Sequence, residues 1–197
     1  MTRGRSFTRA VVGIVSLFTG LVAASSSAWA LGEEKAGPFM ANLKVGPAIG
    51  IDSPPGVTQF AIELEAGIAL DHEKNAYLTF TPQVELGSFC GGFGGLGCGG
   101  RGSVSTIILP LGFQYDIELP VKHLFLYPKI DLGLGLFTGG GSAAASFVLQ
   151  PAFGIKYQLL KHFHFGGEPF SLPLFIGNSG DGFGAQYQIY VYAGVDL

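Results

Sequence analysis

Charge is scarce in this chain: acidic and basic residues together make up 13% of its 197 residues, about half of the roughly 25% usual in soluble domains. That is too little to coat a water-facing surface, and the mean hydropathy is positive, at +0.42. Long apolar runs are missing too. Beyond residue 30, glycine, glutamine or a charge interrupts each one before it reaches the roughly 20 residues a spanning helix needs. Cysteine is limited to Cys90 and Cys98, with no nearby histidine or acid to complete a metal pair, so no metal and no cofactor is expected. Basic residues are the minority, which argues against nucleic acid as a partner.

The first thirty residues read as a secretory signal. Arg3, Arg5 and Arg9 precede an apolar centre from Ala10 to Ala24, and Ala28-Trp29-Ala30 supplies the small residues of a cleavage site. Gly4 separates the first two arginines, so the twin-arginine route is not indicated and export by the general secretory pathway is expected. Cleavage after Ala30 would leave one domain, residues 31–197. Without the three signal arginines, 8 of the 11 basic residues remain against 14 acidic ones, a formal charge of about −6. Both cysteines follow the signal, and in an oxidising compartment a local Cys90–Cys98 disulfide is the default pairing.

What the chain has in abundance is alternation. Side chains point to opposite faces along a strand, so a period of two marks a two-faced strand. In residues 39–51, Phe39, Ala41, Leu43, Val45, Pro47, Ile49 and Ile51 share one face and Met40, Asn42, Lys44, Gly46, Ala48 and Gly50 the other. The pattern recurs in eight runs, the last ending at Leu197. The seventh run, residues 163–176, is the least regular: Gly166-Gly167 and Pro169 interrupt it and its phase is ambiguous. Prolines inside runs, at Pro47, Pro82, Pro110, Pro128 and Pro151, each remove a ladder donor and call for bulges or rim positions.

The connections alternate in character. Asp71 to Asn75, Glu118 to His123 and Leu159 to His162 are short turns, whereas Ser88 to Ser103, Gly139 with the alanines after it, and Gly177 to Gly184 are glycine-rich loops. Short turns at one rim and longer loops at the other are expected of an up-and-down transmembrane barrel. Each run is long enough for a tilted crossing of about 9 to 11 residues. A soluble barrel would need a richly charged outer face, but the face opposite the leucines carries mostly glycine, alanine, glutamine and threonine. Turned inside out, the same residues fit: leucine, isoleucine, valine and phenylalanine meet lipid while small and polar side chains fill the lumen. Phe39, Tyr115, Tyr157 and Tyr187 fall near the expected interfaces.

With signal, eight runs, loop asymmetry and the segment Leu109-Pro110-Leu111-Gly112-Phe113-Gln114-Tyr115 in view, residues 31–197 resemble the small outer-membrane β-barrel proteins of Gram-negative bacteria, the OmpA, OmpX and OmpW types. The resemblance implies an all-β, eight-stranded antiparallel barrel in the bacterial outer membrane, monomeric and surrounded by lipid and lipopolysaccharide. The chain departs from that pattern at Leu197, where the family's assembly signal usually ends in Phe or Trp.

Lys44, Glu63, Glu65, Glu85, Asp116, Lys129, Asp131 and Lys156, with Gln114, Tyr77, Tyr127, Tyr190 and Tyr192, are the lumen candidates. Charges in so narrow a barrel read as a paired, hydrogen-bonded filling, with an ion or solute path as the alternative. His162, His164, Glu168 and Ser171 suggest a hydrolase resembling lipid A deacylases, but the histidines sit beside a short turn, the rim away from the outer leaflet, and no catalytic residue is assigned. Gly92-Phe93-Gly94-Gly95-Leu96-Gly97 spells the dinucleotide fingerprint without the strand and helix that give it meaning. The 88–103 loop is instead the expected contact surface for an external partner. The expected role is structural or adhesive, the alternatives being a narrow channel for small or apolar solutes and a lipid A-modifying enzyme.

Overall fold

A computed structural model of the chain describes residues 37–51, 58–90, 101–139, 142–177 and 183–197. The chain divides after Glu34, and all described residues belong to the second unit. The expected signal and Cys98 lie outside the described residues. Nothing in the structure supports the Cys90–Cys98 disulfide.

The alternating runs become the staves of one antiparallel sheet. In chain order these are β1 (Phe39–Gly50), β2 (Thr58–Ala69), β3 (Ala76–Phe80), β4 (Gln83–Cys90), β5 (Arg101–Tyr115), β6 (Ile117–Glu118), β7 (Leu124–Gly139), β8 (Ser142–Leu160), β9 (Phe163–Ser171), β10 (Leu174–Ile176) and β11 (Phe183–Asp196). With β3 and β4, β5 and β6, and β9 and β10 each forming one stave, every stave pairs with the next around a ring. The ring closes because β11 returns to β1, with Val45 opposite Val191 and Met40 opposite Asp196. Closure leaves no open edge, and in hydrocarbon no solvent would satisfy one.

Eleven segments make eight staves because three staves are interrupted, two of them at proline and one at Asp116, between β5 and β6, where register on β7 is kept. Between β3 and β4, Thr81 and Pro82 leave the ladder, yet register is unchanged: β2 places Ala66 opposite Phe80 and Glu63 opposite Gln83. The Pro82 carbonyl still accepts from Leu64 N at 3.0 Å, and Thr81 N donates to the Pro110 carbonyl at 3.2 Å. The missing proline N–H therefore opens a gap in the ladder without bending the stave. Leu172-Pro173 divides β9 from β10 in the same way, with Leu172 N donating to the Pro151 carbonyl.

The seventh run has a defined phase that changes at one place. Relative to both neighbours, β9 carries one extra residue near Pro169: Gly167 and Phe170 stand opposite Ile155 and Phe153 of β8, and Glu168 and Ser171 opposite Tyr190 and Gln188 of β11. Such a bulge resets parity. His164 and Glu168 face inward before it and Ser171 and Phe175 after it, while Phe165, Phe170 and Ile176 face outward.

Strand pairing also runs further into two expected loops than the sequence indicates. Cys90 pairs with Arg101, which shortens the Ser88 to Ser103 loop to residues 91–100. Ala143, Ala144 and Ala145 are strand, opposite Thr138, Phe137 and Leu136. Alanine is a weak strand former, but extending an existing ladder overrides that preference. At the opposite rim, Asp71 Oδ1 accepts from the backbone N–H of Asn75 and Ala76, while Lys74 takes the left-handed conformation that tightens the turn.

The outer face is apolar. Leu111, Leu134 and Val191 are about 60% exposed or more, in company with Leu109, Phe113, Ile130, Leu132 and Ile155. The buried face carries lysine, glutamate, aspartate, glutamine and threonine. A water-soluble domain has the reverse arrangement.

Candidate functional site in the barrel interior

Inward-facing polar side chains form three tiers along the barrel. In the tier next to the short turns, His164 Nε2 lies 2.6 Å from Asn42 Oδ1 and its Nδ1 lies 3.3 Å from Asp196 Oδ2. Gln158 donates to the same Asp196 oxygen at 3.0 Å. Asp116 accepts from Gln114 and pairs with Lys156, whose ammonium stands 5.5 Å from the ring centres of both Tyr77 and Phe125.

The middle tier is an ion-pair network built around two fully buried lysines. Lys44 Nζ lies 3.1 Å from Glu63, 3.0 Å from Glu65 and 2.7 Å from Glu168. Lys129 reaches across the lumen to Glu65 at 2.5 Å and Glu63 at 3.4 Å, and pairs with Asp131 on its own strand at 3.0 Å. Asn42 donates to Glu65, and Tyr127 donates to Glu168. Because β7 is separated from β2 by two staves on the shorter way round the ring, the Lys129–Glu65 contact ties opposite walls together. Removing one member of such a network strands a charge, which is costly in a dry interior.

The third tier, toward the glycine-rich loops, is made of amides. Gln83 and Gln188 both donate to Glu85 Oε1, at 2.7 and 2.6 Å. Gln150 donates to Ser171 at 2.9 Å, and Tyr190 donates to Gln188 Oε1 at 2.9 Å. Beyond this tier Ile108, Val148 and Phe175 pack as an apolar cluster inside the lumen, with the Phe137 ring 4.8 Å from that of Phe175.

Several close approaches depend on glycine. A Cβ on Gly112 would stand 1.7 Å from Asp131 Oδ1, one on Gly194 would stand 1.8 Å from Asn42 Oδ1, and one on Gly46 would stand 1.7 Å from the Ile189 carbonyl. Gly112 and Gly194 thus leave lumen space that neighbouring polar side chains fill, and Gly46 admits the backbone of β11.

Lys44, Glu63, Glu65, Glu85, Gln114, Asp116, Lys129, Asp131 and Lys156 all lie in the interior, as do Tyr77, Tyr127, Tyr190 and Tyr192. Asn42, His164, Glu168, Gln188 and Asp196 belong to the same filling but are not among the lumen candidates of the sequence, where His164 and Glu168 enter only as parts of a hydrolase constellation. Parity signals Asn42, Gln188 and Asp196, but the bulge hides the phase of β9. The four residues of the hydrolase reading have separate partners: His162 Nδ1 lies 2.9 Å from the Asp196 backbone carbonyl, His164 pairs with the Asp196 side chain, Glu168 with Lys44, and Ser171 with Gln150. Their closeness in sequence does not assemble a serine, a base and an orienting acid. Among the described residues, no three histidine, cysteine or acidic side chains gather as a metal centre.

A closed barrel with an apolar exterior and a polar, charge-paired interior defines the fold of the small eight-stranded outer-membrane barrels of Gram-negative bacteria. Among solved structures, the chain is similar to Neisserial surface protein A, at 14% identity and a TM-score of 0.62, with 83% of this chain and 100% of that one covered. It is also similar to the outer membrane protein OprG from Pseudomonas aeruginosa, at 11% identity and a TM-score of 0.53, with 84% and 98% covered. No protein-family model and no curated protein sequence matches it.

Proposed function

We propose that the chain is a monomeric, non-enzymatic protein of the bacterial outer membrane whose barrel is a sealed support and whose glycine-rich loops form its contact surface. On this reading residues 1–30 are removed on export through the general secretory pathway, and outer-membrane lipid and lipopolysaccharide surround residues 31–197. The observation that carries it is the cross-lumen network of Lys44 and Lys129 with Glu63, Glu65, Asp131 and Glu168, whose members are all buried. Side chains that bridge opposite walls at this density fill an eight-stranded lumen. The chemistry then resides outside the barrel axis, and the 88–103 loop, with the glycine-rich connections beside it, is where an adhesive or structural partner binds.

Planar-bilayer conductance tests this. The sealed barrel gives no reproducible conductance steps in the unmodified protein. Regular steps that change on substituting Lys129 would establish a solute path and overturn the reading.

A further inference from the structure

His164 links three staves at the seam where the ring closes. It stands on β9 directly opposite Gly194 of β11, and Gly194 stands opposite Asn42 of β1. The glycine between them lets the two inward side chains meet above it, since a Cβ on Gly194 would collide with both Asn42 Oδ1 and His164 Nε2. The imidazole thus reaches over the last stave to the first, at 2.6 Å from Asn42 Oδ1, while its Nδ1 lies 3.3 Å from Asp196 Oδ2 on the last stave itself.

Both contacts end on acceptors. Glu65, between Lys44 and Lys129, accepts from Asn42 Nδ2 at 2.5 Å. A carboxylate only accepts, so Asn42 turns its NH2 to Glu65 and its carbonyl oxygen to His164. Gln158 is oriented in the same manner: its NH2 donates to the Leu160 and Lys161 carbonyls and, at 3.0 Å, to the Asp196 oxygen that also faces His164. Neutral imidazole has one N–H and one lone pair. It can donate to one of the two oxygens and must set its lone pair against the other, and turning the ring over changes nothing because both neighbours are oxygens. The remaining groups nearby are already engaged. Tyr192, whose ring centre is 6.2 Å from that of His164, donates its hydroxyl to the Ile155 carbonyl, Lys156 pairs with Asp116, and His162 meets the Asp196 backbone carbonyl.

We infer that His164 is carried as a buried imidazolium, and that it acts as a proton-dependent clamp on the barrel seam by donating to Asn42 of β1 and Asp196 of β11 at once. Loss of either ring proton breaks one of the two bonds and leaves an oxygen of the first or the last stave facing a lone pair. The clamp does not depend on whether the barrel conducts.

The experiment uses the full chain with ring-15N histidine, refolded in detergent, and reads the ring nitrogens by NMR at neutral pH. The other three histidines, His72, His123 and His162, lie in the short turns, and replacing them by Gln isolates the His164 signals. We expect a bonded proton on both nitrogens of His164. In Asp196→Asn, whose amide can donate to Nδ1, we expect the Nδ1 proton to be lost and the Nε2 proton facing Asn42 to remain. Deuterium exchange of the β11 amides is expected to quicken about tenfold in that variant, because a charge-assisted hydrogen bond is replaced by a neutral one. A single ring proton in the unmodified chain, or ring protonation and amide exchange that Asp196→Asn leaves unchanged, overturns the inference. The spectrum of the unmodified ring decides the matter even if Asp196→Asn fails to fold.

Discussion

Lys44 Nζ lies 2.7 Å from Glu168 Oε2 although 124 residues separate them in sequence. The contact closes the middle tier across the β11 stave and draws the bulged β9 into the same network as β1 and β2. Replacing Lys44 by Met leaves Glu63 and Glu65 with Lys129 alone and Glu168 with only the Tyr127 hydroxyl. The expected loss is about 3–5 kcal/mol of stability, read as a lower unfolding midpoint in urea with the protein in lipid vesicles. Adding Glu168→Gln recovers part of the loss, because one stranded charge is removed with it.

Insertion of a charge on the outer face reports depth. Leu132 is exposed beside the middle tier, whereas Leu159 is exposed next to a turn. Leu132→Arg is expected to cost about 2–4 kcal/mol and Leu159→Arg about 0–1 kcal/mol, the difference between bilayer midplane and interface. Equal costs in the same vesicle unfolding assay would mean that the leucine face does not cross a hydrocarbon layer.

Two glycines on opposite faces separate crowding from conformation. A Cβ on Gly46 meets the Ile189 carbonyl at 1.7 Å, which is backbone and cannot swing away, whereas the nearest atom to one on Gly167 is 3.5 Å distant. Gly46→Ala is expected to cost about 3 kcal/mol, the upper part of the overpacking range, and Gly167→Ala to leave the unfolding midpoint nearly unchanged.

The β9 bulge yields a deletion test. Removing Pro169 takes out the extra residue and keeps His164, Glu168, Ser171 and Phe175 facing inward. Removing Ile189 from β11, which has no such surplus, turns every residue on one side of the deletion to the wrong face. The first variant is expected to fold and resist extraction from membranes, although Tyr187 loses the Pro169 carbonyl that accepts its hydroxyl at 2.5 Å. The second is expected to aggregate.

The two faces were legible in the sequence because parity is local: Lys44 faces inward wherever its neighbours Leu43 and Val45 face out. Parity places Glu63 and Lys129 inside but cannot show that they meet, since that depends on which staves oppose each other once the ring closes. It also fails at Pro169, where one surplus residue is visible only against β8 and β11. His164, Glu168 and Ser171 looked like one constellation because they are near in sequence, yet the tiers spread along the barrel axis send them to different partners. The alanines after Gly141 looked like a loop from composition, and only their pairing with Leu136, Phe137 and Thr138 makes them strand.

The central claim is that the leucine-rich face meets lipid. Trp29 is the chain's only tryptophan, so a Trp29→Phe background accepts a single reporter. Placed at Leu132 and, separately, at the turn residue Val121, that tryptophan can be quenched by brominated lipids in refolded vesicles. The account predicts strong quenching and blue-shifted emission at position 132 with weak quenching at position 121. Water-exposed emission and no quenching at position 132 would contradict it.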